Sequence, residues 1–242
     1  MALKEIEYKN HKFDISYEIV NSSKDKTIVI LHGWGSNKEI MKQAFAKELR
    51  EFKHIYIDMP GFGKSSEGMV LTTDDYAKII KIFLDTISCK ADIAMGHSFG
   101  GKVATLLDTP CLVLLSSAGI LTEKPWSIKM KIATFKLLKP LGFAKLREIF
   151  ASADVADMSH EMYETFKNVV DEDFEERFSN SNSKALLFWG REDTATPLYT
   201  GEKIDTLIKD SKLYPLDGDH YFFLKYAKFI GDTIISECKG DL

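Results

Sequence analysis

The chain has 242 residues, 45% of them hydrophobic and 28% charged, so it has room for one large or two small globular domains and reads as neither disordered nor fibrous. Lysine plus arginine number 32 and aspartate plus glutamate 36; the net charge of −4 carries no general electrostatic footprint for nucleic acid. The longest uncharged stretch, Thr109 to Thr122, is 14 residues, short of the ~20 that a membrane-spanning helix needs, so no stable membrane insertion is expected.

The opening, Met1-Ala2-Leu3-Lys4-Glu5-Ile6-Glu7, has early acids and no apolar run, so no secretory signal is expected. Cys89, Cys111 and Cys238 are odd in number and widely spaced. They are read as neither a disulfide framework nor a zinc site, in keeping with a reducing cytoplasm.

In chain order, Ile6 to Tyr8 and Phe13 to Tyr17 alternate apolar and polar residues around Asn10-His11-Lys12, which predicts a hairpin. Thr27 to Leu31 is a continuous apolar run, the mark of a strand buried on both faces. Asn37 to Leu49 has one apolar face and predicts a helix. Strands over His54 to Ile57, Ala91 to Met95 and Cys111 to Leu115 then alternate with helices over Asp74 to Ile87 and Lys102 to Leu107. Strand, helix, strand in this order predicts a parallel sheet with helices on both faces.

The alternation breaks after residue 121. Residues 122 to 180 hold helical segments such as Ser127 to Leu138 and His160 to Val170, and no convincing strand. Thr122 to Arg147 carries seven basic groups and one acid, whereas Glu148 to Phe178 carries two basic groups and ten acids; solvated helix faces account for that split. The sheet resumes with Ala185 to Trp189 and Lys212 to Leu216, and Tyr221 to Ile235 closes the chain as a helix. The expected fold is α/β, with about eight strands, six of them parallel, and one helical insertion.

Gly96-His97-Ser98-Phe99-Gly100-Gly101 follows a predicted strand and opens a predicted helix. Small residues two before and two after Ser98 let the chain make a tight turn that lifts the serine above the strand ends, near the positive end of the next helix. A serine hydroxyl is a poor nucleophile and needs a base. Of the six histidines, His11, His54 and His160 are read as surface or packing residues, and the turn is expected to point His97 away. His220 lies directly after the last strand, at the same sheet edge as the serine turn, and is the candidate base. Asp193, in Gly190-Arg191-Glu192-Asp193 after another strand, is the candidate acid that fixes the tautomer of His220, with Glu192 as its close competitor. Backbone N–H groups of Phe99 and of Trp34, in His32-Gly33-Trp34-Gly35, are the candidate donors to a developing oxyanion.

Serine, then acid, then histidine is the chain order of the α/β-hydrolase superfamily, which this sequence resembles over nearly its whole length. The resemblance rests on His32 to Gly35, Asp58-Met59-Pro60-Gly61-Phe62-Gly63-Lys64-Ser65, Gly96 to Gly101, Gly190 to Asp193 with Pro197, and Gly218-Asp219-His220. It implies a triad of Ser98, Asp193 and His220, a core over residues 1–121 and 181–242, and a helical cap over 122–180. Within the superfamily the sequence looks most like esterases, lactonases and hydrolases of ring-cleavage diketones. The last group typically carries an asparagine before the nucleophile, where His97 stands here, and a tryptophan shortly after the histidine, where Tyr221-Phe222-Phe223 follows.

The expected activity is therefore hydrolysis of small, mainly apolar carboxylic esters, with no metal or organic cofactor. Carbon–carbon hydrolysis of a diketone and lactone hydrolysis are the alternatives among enzymes. A non-catalytic small-molecule binding protein of the same fold is the rival class, and the complete set of triad residues argues against it.

Overall fold

The computed structural model describes residues 2–122 and 158–238. Eight strands form one sheet in the order β1-β2-β4-β3-β5-β6-β7-β8. β1 (Ala2–Tyr8) and β2 (His11–Val20) make the expected hairpin, and β2 runs antiparallel to β4 (Lys53–Ile57). The turn falls on Lys9 and Asn10, both at positive φ, one position earlier than expected. β3 (Thr27–Leu31), β4, β5 (Ile93–His97), β6 (Cys111–Leu115), β7 (Lys184–Gly190) and β8 (Ser211–Leu216) are parallel to one another. Every residue of β3, β5 and β6 is buried, which is why β3 and β6 read as unbroken apolar runs.

Helices cover both faces. α1 (Lys38–Phe45) and α7 (Phe223–Cys238) pack Met41, Phe45, Phe223, Ile230 and Ile234 against one face. α2 (Thr73–Thr86), α3 (Phe99–Thr105) and α6 (Leu198–Leu207) cover the other. The start of α2 is fixed by a reciprocal capping box between Thr72 and Asp75. From β3 the chain steps to β4 on one side and then crosses to β5 on the other. That reversal opens a crevice beyond the carboxyl ends of β3 and β5, where open α/β sheets bind ligands.

Between β6 and β7 lie α4 (His160–Val170) and the short α5 (Glu175–Ser179). Residues 123–157, including the expected helix over Ser127 to Leu138, lie outside the described residues. α4 and the segment after it are tied to the core. Thr165 Oγ1 accepts from the Leu71 N–H at 2.9 Å, and Phe174 N–H donates to the Gly119 carbonyl at 2.8 Å. Lys102 Nζ donates to the Val169 carbonyl at 2.6 Å and to Glu172 at 2.9 Å.

One expectation is corrected. Cys111 and Cys238 form a disulfide, with Cα atoms 6.2 Å apart, and Cys89 alone is free. α7 crosses the sheet face so that its last residue meets the first residue of β6, a contact that sequence spacing across 127 residues does not reveal. The cysteines therefore no longer argue for a reducing compartment. No described helix is long and apolar enough to cross a membrane.

Candidate active site

β5 ends at His97 and α3 begins at Phe99, so Ser98 alone makes the turn, at φ 52° and ψ −117°. A serine at positive φ is strained and persists only where its surroundings hold it. Its N–H donates to the Leu115 carbonyl at 3.1 Å, and its carbonyl accepts from Gly101 at 3.0 Å and Ala118 at 3.1 Å. The turn is so tight that a Cβ on Gly96 would lie 2.1 Å from the Gly100 carbonyl oxygen, and one on Gly100 would lie 2.4 Å from that of His32. The glycines of the motif are thus a steric requirement. A Cβ on Gly33 would fall 3.2 Å from Ser98 Cβ, which puts the loop after β3 directly against the serine.

His220 and Asp193 come together from the ends of the neighbouring strands β8 and β7. His220 Nδ1 is 2.7 Å from Asp193 Oδ2, with the carboxylate fully buried and the imidazole 17% exposed. The Ala195 and Thr196 N–H groups donate to Asp193 Oδ1 at 2.8 and 2.9 Å, and the Thr196 hydroxyl donates to Oδ2 at 2.9 Å. Burial opposes ionisation of Asp193, but the hydrogen bonds from His220 and Thr196 outweigh it and lower the carboxyl to about 2. An ionised Asp193 fixes the proton of neutral His220 on Nδ1 and leaves Nε2 as the basic nitrogen. Glu192 instead borders a surface hollow with Asp217, Asp219 and Lys225.

The imidazole's hydrogen-bond neighbours, Asp193 and Thr196, both lie on its Nδ1 side. Among the described residues Ser98 Oγ makes no direct hydrogen bond to Nε2. The two loops meet through His97, whose Nε2–H donates to the His220 carbonyl at 3.0 Å.

The loops after β3 and β4 are locked together behind the serine. His32 is fully buried; its Nδ1–H donates to the Gly33 carbonyl at 2.7 Å and its Nε2 accepts from the Met59 N–H at 3.0 Å. That pattern requires a neutral ring, and burial lowers its pKa to about 4. Asp58 accepts from Lys38 Nζ at 2.6 Å, the Lys38 N–H at 2.8 Å and the Lys64 N–H at 3.0 Å, fixing the turn that carries Gly61 and Phe62. Among the described residues, neither the Trp34 nor the Phe99 backbone N–H is taken by a hydrogen bond of the surrounding loops.

Aromatic rings wall the serine's surroundings. Trp34 packs against Phe62 at 4.8 Å, Phe99 at 5.5 Å and Phe166 of α4 at 5.3 Å between ring centres. Met162 of α4 lies so close to Gly61 that a Cβ there would sit 2.3 Å from its sulfur. α4 therefore buries its apolar side on the core.

Sequence reasoning missed two residues at this site. Thr196 lies in a loop with no sequence signal of its own, and its N–H and hydroxyl both bond Asp193. His97 was expected to point away; its ring instead lies 4.5 Å from that of His220, centre to centre. Nothing in the local sequence encodes that cross-strand contact.

The family model for the alpha/beta hydrolase fold matches residues 26–107. The chain is similar to the uncharacterized hydrolase YugF of Bacillus subtilis, with 24% identity over 234 residues covering 84% of this chain and 86% of that one. It is 34% identical over 106 residues to the pimeloyl-[acyl-carrier protein] methyl ester esterase of Vibrio campbellii, covering 41% of this chain and 40% of that one. A thermophilic esterase from Thermogutta terrifontis shares the fold with a TM-score of 0.75 and 15% identity, over 99% of each chain. With the sheet order and the strand-to-helix turn at Ser98, these matches show that the chain has the α/β-hydrolase fold.

Proposed function

We propose that the protein is a serine carboxylesterase acting on small, mainly apolar esters. The observation that carries the reading is the strained Ser98 turn at the same sheet edge as the Asp193–His220 pair. In this reading Ser98 Oγ bonds to the ester carbonyl carbon while His220 Nε2 takes the hydroxyl proton. The resulting alkoxide is held by the N–H groups of Trp34 and Phe99. Its collapse breaks the bond to the alkoxy group, which leaves as the alcohol with the proton from His220. Water, deprotonated by His220, then attacks the acyl-serine; the acid departs and Ser98 recovers its proton. None of these steps calls for a metal or an organic cofactor.

The apolar preference is supported by the wall of Trp34, Phe62, Phe99 and Phe166. In this reading α4, tied to the core through Thr165 and Lys102, is part of a cap beside the serine. The test is a p-nitrophenyl ester series, run beside a lactone and a vinylogous diketone. kcat/KM should rise from acetyl to hexanoyl, because each buried CH₂ contributes ~0.8 kcal/mol, close to fourfold. A flat series, or faster turnover of the diketone, would contradict the reading.

A further inference from the structure

His97 is the last residue of β5, 1% exposed, and held between the serine and the histidine loop. Its Nε2 faces the backbone carbonyl of His220 at 3.0 Å, so that nitrogen must carry the proton. Its Nδ1 is then a bare acceptor; it is buried, has no hydrogen-bond partner, and faces Gly33, where a Cβ would come within 2.9 Å. Leaving a buried acceptor unpaired is unfavourable. The ring also contacts His220 at 4.5 Å, Phe223 at 4.8 Å and Tyr221 at 5.4 Å between centres, so it cannot turn to satisfy Nδ1 without giving up both the hydrogen bond and the packing.

We infer that His97 is a positioning residue, whose Nε2–H fixes the His220 backbone so that the imidazole is presented to Ser98. The inference rests on the reading of Ser98 as nucleophile and His220 as base. The turn that carries His220, with Gly218 at φ 135°, is held by the Glu192 N–H to the Gly218 carbonyl at 3.0 Å and the Phe222 N–H to the Asp219 carbonyl at 3.1 Å; on His220 itself Asp193 is one restraint, at a ring nitrogen, and the backbone carbonyl takes a second. The His97 bond supplies that second restraint from the strand that carries Ser98. Burial, then the neighbouring His220, push the His97 pKa down to about 3, so the donor stays neutral across the working pH range and sets no positive charge against the imidazolium that forms beside it.

The experiment compares His97→Gln, His97→Asn and His97→Phe by the rate at which a fluorophosphonate labels Ser98, and by the downfield proton resonance of His220 Nδ1–H. Glutamine carries an N–H the same number of bonds from Cα as Nε2, whereas asparagine places it at the Nδ1 position and phenylalanine has none. Labelling should slow about 10–100-fold in His97→Phe and His97→Asn, as expected for a misplaced base, with the resonance broadened. His97→Gln should restore most of the rate and the resonance. If His97→Phe does not fold, the Gln–Asn pair decides alone, since both are polar and differ only in the donor's reach. Wild-type labelling in His97→Phe or His97→Asn, or a His97→Gln as slow as His97→Asn, would overturn the inference while leaving the triad reading intact. An unlabelled Ser98 in the wild-type protein would overturn both.

Discussion

Asp193 and His220 are 27 residues apart in sequence and 2.7 Å apart in space, joined through Oδ2 and Nδ1. The remaining acceptor capacity of the carboxylate is taken by Ala195 and Thr196. The acid therefore cannot swing to a second partner, and the pair has one geometry.

Asp193→Asn keeps the shape but lets the amide donate to Nδ1, which favours the wrong tautomer of His220. A loss on the order of 10⁴ in kcat is expected. Glu192→Gln should be nearly silent, because Glu192 borders the outer hollow. Steady-state kinetics on one ester separate the two, and a crippled Glu192→Gln would contradict the assignment.

Lys38 and Asp58 form a buried pair, each residue 1% exposed, with Glu39 3.6 Å from the ammonium. Burial of Asp58 opposes its charge, but bonds from the Lys38 N–H and ammonium and from Lys64 outweigh it, so its folded pKa lies below the ordinary value. Its stabilising contribution is then complete above the unfolded carboxyl value of ~3.9 and lost as pH falls through the lower folded value. Asp58→Asn should cost about 3 kcal/mol at pH 7, as breaking a buried pair does, and about 1 kcal/mol less than that at pH 3, below the unfolded carboxyl value. Urea unfolding at the two pH values checks this. An equal deficit at both would contradict it.

Lys102 ties α3 to the chain beyond α4 through the Val169 carbonyl and Glu172, and lies over the rings of Phe174 and Phe99 at 5.1 and 5.9 Å. Lys102→Met nearly conserves volume and removes these bonds. It should lower stability by about 1–3 kcal/mol and speed proteolysis between residues 158 and 180. Unchanged Tm and cleavage would show that the tie is not needed.

The parallel strands were legible because Thr27 to Leu31 and Cys111 to Leu115 are buried on both faces, leaving no polar alternation to confuse them with surface strands. The helix expected over His160 to Val170 is found with those bounds, and the Ser159 hydroxyl fixes its start by accepting from the Met162 N–H. Asp193 and His220 were placed at one sheet edge by the rule that parallel strands end there, and the 2.7 Å contact lies at that edge. The His97–His220 bond and the Cys111–Cys238 bridge were not legible. Each joins residues more than a hundred apart through the packing of one loop or helix on a strand, which no local pattern records.

The proposed function turns on Ser98 as the nucleophile. Incubation with a fluorophosphonate, followed by intact-mass measurement and peptide mapping, tests it directly. One adduct is expected, on Ser98, suppressed by an ester substrate and absent in a Ser98→Ala variant whose kcat is down ~10⁴–10⁶-fold. An adduct on another serine, or a fully active Ser98→Ala protein, would contradict it.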